Sequence, residues 1–420
     1  MKYFLIITAL FLFLIGSSSG IFSTWYFKFF LFFFYFFCYL TLSELKFKEI
    51  FKGLGRLNLF FLLLLIVSLF RTNAENQTYL SIFLKATNFL FLLLAVKEFI
   101  LKCNDNNYEK IKILLLIPLI LFAGLNFITY FVFNLQPFDL GEQQELGFSV
   151  LIYSLFGVLI ERVNFPFISS VTTFGLLMGY LFIVSFYLRQ RIKYKILAFL
   201  GILFSVIGIL LVDHRSGVFS LIVSVLMTHV AYKLRINLVI SKLIVLISLF
   251  GPFLMVAISQ ILISSSFGEI ISRDNAELST GNSRFIIWLI GLEEILDFKW
   301  LHVFGFGEIG TYGAGISFLW ANFFEKFADP LRITAHNLYL NVFFDMGYIG
   351  VITMFSLFFF LYKKTYLVSN ISKLFFCFLT FFLISGITES PIGFHSAITT
   401  LVFSICTLFL TNLNQANAKN

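Results

Sequence analysis

The stretch HNLYLNVFFDMGYIGVITMFSLFFFLYKK, residues 336–364, decides the fold. Between Leu338 and Tyr362 it is almost wholly apolar, and as a helix it is long enough to cross about 30 Å of hydrocarbon. Its apolar residues do not alternate with polar ones as in a barrel strand, and a lone strand would leave its backbone unsatisfied in lipid, so it reads as a transmembrane helix. Crossing a membrane does not account for every residue in it. His336 and Asn337 stand at its leading edge, Asp345 lies inside the apolar run, and Gly347 and Gly350 punctuate it. Asn337 is a suitable helix cap, and the two glycines allow close helix approach. An intramembrane carboxylate such as Asp345 is costly enough to need a purpose; it pairs with an arginine or lines a polar cavity.

Outward from this run, eleven more of similar kind lie near 3–22, 25–42, 54–70, 79–97, 111–133, 166–188, 196–212, 217–233, 242–261, 372–388 and 394–411. Of the 420 residues, 59% are hydrophobic and only 12% charged, with a mean hydropathy of +0.95. A soluble domain cannot hide that much apolar surface. The expected fold is therefore all-α, a polytopic bundle of about twelve spans forming a single integral membrane domain over 1–420. Two longer connections interrupt it, about 134–165 and 262–336, and long loops commonly carry function.

The net charge of +8 suggests nucleic acid until its distribution is seen. Lys and Arg fall in short loops, KFKEIFK (46–52), KCNDNNYEKIK (102–112), RQRIKYK (189–195), KLR (233–235) and KK (363–364), whereas DLGEQQE (139–145) lies on the other side. By the positive-inside rule both termini are cytoplasmic, the two long loops are extracytoplasmic, and nucleic acid is not a partner. The first run is expected to be a retained helix and not a signal peptide, for it lacks an A-x-A-like cleavage site. Cys38, Cys103, Cys377 and Cys406 have no metal-ligand spacing, nor do His214, His302 and His395, and neither a disulfide nor a metal is expected.

The ionisable residues of interest gather on the extracytoplasmic side. Arg215 lies in DHRSG (213–217), Arg284 in the first turn of an expected amphipathic helix within GNSRFIIWLIGLEEILDF (281–298), and His336 before its span. Asn282 or Ser283 caps that helix, and Trp288, Leu289 and Leu292 are expected to form its apolar face. All three basic residues fall at helix N-termini, where the dipole disfavours cations unless something negative is near. Two readings follow: a salt bridge to Asp213 or Glu293, or a bound anion, for which a diphosphate suits two arginines. The same field favours the neutral imidazole of His336, a base beside an anion site. GFGEIGTYGAG (305–315) matches neither a Walker loop nor a dinucleotide fingerprint and reads as a flexible turn over the site. Glu389 and Pro391, in an outer loop, help shape the cavity. Glu142, Glu145 and Arg162, in the 134–165 connection, are further candidates for contact with a bound molecule.

These residues carry a resemblance. His-Asn, nine residues, Gly, two residues, Gly, as in 336–350, resembles the motif of the bacterial O-antigen polymerase and O-antigen ligase superfamily. DHRSG, the N-S-R-F-x-x-W segment around Arg284, and the GFG turn look like that family's other landmarks, over about 166–411. The resemblance implies a membrane-embedded, inverting, metal-independent glycosyltransferase of the C type that needs no cofactor. It implies His336 as catalytic base, Arg215 and Arg284 as diphosphate ligands, and Asn337, Gly347 and Gly350 in support. The implied partners are the bilayer, an undecaprenyl-diphosphate-linked oligosaccharide donor, a glycan acceptor and a chain-length regulator protein, and the implied place is the bacterial inner membrane. A polymerase extends the lipid-linked chain; a ligase delivers it to lipid A core. The stretches DHRSG, GFG and TAHNLYL lean towards polymerase. A transporter of lipid-linked glycans is the rival class, although it calls for charges along a path through the membrane and for symmetry between halves.

Overall fold

The computed structural model describes residues 1–17, 24–43, 53–72, 78–135, 148–168, 170–263, 284–324, 334–366 and 369–417. Glu142 and Glu145, and the expected caps Asn282 and Ser283, lie outside them. Among the described residues regular structure is helical, apart from an isolated bridge between Phe148 and Glu161.

The helices are α1 (Lys2–Gly16), α2 (Trp25–Leu42), α3 (Arg56–Phe70), α4 (Tyr79–Lys102), α5 (Asn107–Phe131), α6 (Val150–Phe156), α7 (Val171–Leu188), α8 (Lys195–Leu211), α9 (Arg215–Lys233), α10 (Asn237–Ile263), α11 (Arg284–Leu296), α12 (Leu338–Lys364), α13 (Asn370–Ser385) and α14 (Ala397–Asn417). Among the described residues nine segments are long and apolar enough to cross a membrane, those of α2, α4, α5, α7 to α10, α12 and α14; α1, α3 and α13 are shorter apolar helices. The protein is an all-α polytopic membrane protein, and these twelve helices fall one on each expected apolar run. Within α5 a π-helical turn spans Lys112–Leu116, just before Pro118. The proline ring would press on the carbonyl four residues back, and a widened turn relieves that contact.

The 16-residue α13 is central, and every residue from Leu374 to Ser385 is buried. It packs against α7, α9, α10 and α12, which is why its sequence is apolar all round. Being short, it ends inside the bundle, and the loop 386–393 that follows is itself buried. A buried loop must satisfy its backbone internally. Leu338 N–H donates to the Gly386 carbonyl (2.7 Å), Asn337 Nδ2 to Ile387 O (2.9 Å), and Thr399 Oγ1 to Pro391 O (2.7 Å). This recess is the floor of the site.

The opposite end is basic. Lys102 pairs with Glu98 at 3.2 Å, and both Lys112 and Lys193 pair with Glu109.

Candidate functional site

The site is assembled from three chain segments meeting over the buried loop. The first is the turn between α8 and α9. Helix α8 ends in a paired cap in which Asp213 N–H reaches Leu210 O and His214 N–H reaches Ile209 O (both 3.2 Å), with Asp213 left-handed at φ 52°, the geometry of a Schellman motif. Carbonyls at the end of α8 also take donors from the 148–163 segment: Ser149 Oγ to Leu210 O (2.8 Å), Val163 N–H to Leu211 O (2.9 Å), and Arg162 Nε and Nη2 to Val212 O (3.2 and 3.1 Å). Asp213 Oδ1 accepts from Leu151 N–H at 3.1 Å, and Oδ2 lies 3.6 Å from Arg215 Nε. Arg162, a candidate for glycan contact, thus braces the turn that presents Arg215.

His214 follows Asp213 and is buried. A Cβ at Gly175 or Gly217 would come within 2.3 or 2.1 Å of its ring. The two missing side chains make the slot for the imidazole, and Gly217 is the glycine of DHRSG. His214 Nε2 points to Ser216 Oγ at 3.3 Å and to Glu389 Oε1 at 3.9 Å.

The second segment is the start of α12. Asn337 is fully buried, and its Oδ1 accepts Tyr339 N–H (3.0 Å) and Leu340 N–H (3.1 Å). It is the expected cap, and its amide also ties α12 to the loop after α13. His336, just outside the helix, is left-handed at φ 47°, which is uncommon for a side chain with a Cβ. It is 31% exposed, and its Nδ1 lies 3.9 Å from Glu389 Oε2.

The third is α11. Arg284 opens it, and Nη2 reaches Glu389 Oε1 at 3.1 Å. The salt-bridge partner is therefore Glu389, not Glu293. Phe285, Ile287 and Trp288 face inward, and Trp288 Nε1 donates to Ala335 O at 3.1 Å, next to His336. Leu289 is 61% exposed. The apolar face is thus turned from the expected one towards Phe285 and Ile287, because the helix packs against α10 and α12 and is not half-sunk on its own.

Glu389 is the hub. Burial alone raises a carboxyl, but Arg284, His214 and His336 outweigh it and hold Glu389 well below the ordinary carboxylate range. His214, Arg284 and His336 thus meet around one carboxylate, with Arg215 next to His214 on its own aspartate. Sequence reasoning gave Glu389 only a cavity-shaping part and passed over His214. Their one signal was an acid and a histidine in outer turns; which turns meet is a long-range fact.

The polar face continues down α12. Asn337, Asn341 and Asp345 are four residues apart and share one face. Asn341 Nδ2 reaches Asp345 Oδ2 at 3.1 Å and approaches His395 Nε2 at 3.5 Å, while Asp345 Oδ1 accepts Gly310 N–H at 2.9 Å. Among its described partners Asp345 takes an amide and a backbone N–H, not an arginine. The GFG segment, expected as a turn over the site, is hydrogen-bonded to both α12 and the end of α3. Gly347 kinks α12 at φ 70°, ψ −167°. Beside this kink Phe306 N–H donates to Phe344 O (2.7 Å) and Gly307 N–H to Asp345 O (3.1 Å). Arg71 grips the same turn from the end of α3, Nη1 to Phe304 O (3.2 Å) and Nη2 to Gly305 O (2.7 Å).

One carboxylate fronted by an arginine and two imidazoles, with a second arginine alongside, can hold an anion and move a proton at the same place. Among the described residues no group of three or more His, Cys, Asp and Glu could hold a metal ion. No curated protein and no solved structure matches the chain. Residues 200–355, which take in Arg215, Arg284 and His336, match the family model described as O-Antigen ligase, so over that stretch the chain is similar to the O-antigen ligase family.

Proposed function

We propose that the protein is a membrane glycosyltransferase that polymerises undecaprenyl-diphosphate-linked O-antigen repeat units at the periplasmic face of the inner membrane, by inverting, metal-independent transfer. The observation that carries this reading is the meeting of Arg284, His214 and His336 on Glu389, inside and beside the stretch that matches the family.

A carboxylate facing Nδ1 of His336 favours the tautomer with its proton there and leaves Nε2 to accept one. The separation of 3.9 Å is longer than a hydrogen bond, as catalytic contacts often are before substrate binds. In the proposed step Nε2 takes the acceptor hydroxyl proton, the acceptor oxygen bonds to the anomeric carbon, and the carbon–oxygen bond to the diphosphate breaks on the opposite face. Undecaprenyl diphosphate leaves with the electron pair, and Arg215 and Arg284 stabilise the charge it gathers. The imidazolium formed is stabilised by Glu389.

The description O-Antigen ligase favours a second reading, transfer of the finished chain to lipid A core by the same base and anion site. Reconstitution with the lipid-linked repeat unit alone, product length being read on a gel, separates the two. A ladder of longer chains, reduced about 10²–10⁴-fold by His336→Ala, supports the polymerase. Transfer seen only after lipid A core is added supports the ligase. Silence in both assays from folded protein overturns both and leaves the transporter.

A further inference from the structure

The segment joining α11 to the GFG turn exposes a run of large apolar side chains: Leu296, Phe298, Trp300, Leu301 and Phe304, with Trp300 83% exposed. In an aqueous loop this would be an aggregation liability. Its height along the bundle is fixed by what it touches. Gly305 packs on the Gly347 backbone, where a Cβ would meet Gly347 N at 2.5 Å, and Phe298 stacks on Tyr348 with centroids 6.1 Å apart. On the other side Arg71 binds the carbonyls of Phe304 and Gly305, and Glu308 N–H donates to Ser68 O at 2.8 Å.

Gly347 stands about 25 Å along α12 from Lys363 and Lys364 at the far end, at 1.5 Å per residue. The hydrocarbon layer is about 30 Å thick. The segment therefore lies at the level of the site-side leaflet, about ten residues of α12 below His336. The exposed side chains continue the apolar belt of the flanking spans, Val67 and Phe70 on α3 and Ile352 on α12. The charges here are paired, Lys299 with Glu294 (2.5 Å) and Asp297 (3.4 Å), and Glu294 also meets His302 Nε2 at 3.1 Å. Exposed tryptophan among paired charges, next to lipid-facing helices, is the chemistry of a bilayer interface.

We infer that residues 296–304 are a lipid-embedded wedge, a part of the loop seated in the site-side leaflet with Trp300 and Phe304 among the phospholipid chains and headgroups. Helix α11 runs straight into it, so the wedge anchors the end of α11 opposite Arg284. This inference does not depend on the reaction performed.

The test uses the full chain in vesicles. Cysteine is placed by Trp300→Cys or Phe304→Cys, with Ser17→Cys as an exposed polar control; Cys38, Cys377 and Cys406 are buried, and Cys103→Ser removes the remaining thiol. An environment-sensitive nitrobenzoxadiazole label at each site is read against phospholipids brominated in their chains. The expected result is severalfold stronger quenching at 300 and 304 than at 17, and at least tenfold slower reaction of the unlabelled thiols with a membrane-impermeant maleimide. Thiols at 300 and 304 as reactive as at 17 would put the patch in water and overturn the inference. Protected thiols without lipid quenching would also overturn it, since the cover would then be protein.

Discussion

His336 bears a cost that folding alone does not require. A left-handed φ in a residue with a Cβ costs on the order of 1–2 kcal/mol, and such strain collects where function needs it. His336→Gly removes both the penalty and the imidazole, so its two effects should diverge. Thermal unfolding in detergent is expected at a slightly higher temperature than wild type, by up to about 1 kcal/mol of stability, while turnover falls as in His336→Ala. A glycine variant that is both inactive and less stable would make His336 a packing residue. Glu389 gives a second residue-scale prediction. Its folded-state pKa is depressed, so its contribution is present above the unfolded carboxyl value, about 4.3, and is lost as pH falls through the folded value. The wild type should exceed Glu389→Gln by about 1–3 kcal/mol above that value, the gap closing only in stronger acid. A gap that persists undiminished in strong acid would show that Glu389 does not carry it. Residue identities were legible here: His336, Arg215 and Arg284 stand out as basic groups at helix N-termini. So was Asp213 as a partner for a basic neighbour, but the carboxylate that gathers His336 and Arg284 was not, because Glu389 is 53 residues from His336 and 105 from Arg284.

Among elements, the kink in α12 joins the span to the loop that docks on it. A Cβ at Gly347 would lie 2.4 Å from Val303 O and 2.5 Å from Gly305 N, at φ +70°. None of these neighbours is a side chain that can swing away. Gly347→Ala is expected to cost more than about 2 kcal/mol, the left-handed penalty plus the displaced turn. It should also lower activity, because the 298–310 segment leads into α11 and Arg284. The companion test is proteolysis of folded protein in detergent, with new cleavage expected near 300–310 and none elsewhere. Unchanged protection with unchanged stability would mean that the turn does not need the kink. The spacing of the two glycines is visible in sequence and predicts room for a neighbouring helix. At Gly347 what approaches is the protein's own loop, a contact that apolar periodicity cannot encode, and at Gly350 the crowding comes from Met346 and Val342 of the same helix. The amphipathic helix shows the same limit: its existence was legible, its rotation was not, because Phe285 and Ile287 are buried by α10 and α12 rather than by lipid.

For the whole molecule, composition was enough to name the class, because the hydrophobic term for a chain this apolar has few outlets except lipid. The distribution of its charges carries the expected direction. Turns at one end of the bundle hold Lys102, Lys110, Lys112, Arg189, Arg191, Lys193, Lys195, Lys363 and Lys364, and those at the other hold the Glu389 cluster. A site built on arginine and histidine at the lysine-poor end is what a periplasmic anion-binding face requires, since lysines placed there without function would oppose insertion in this sense. Reporter fusions settle the sense directly. Alkaline phosphatase joined after Phe298 should be active and after Lys364 inactive, with green fluorescent protein giving the reverse pattern. The opposite result would put the site in the cytoplasm. A donor presented at the outer leaflet could not reach it there, so the proposed polymerase and ligase readings would fall together, whatever the geometry around Glu389.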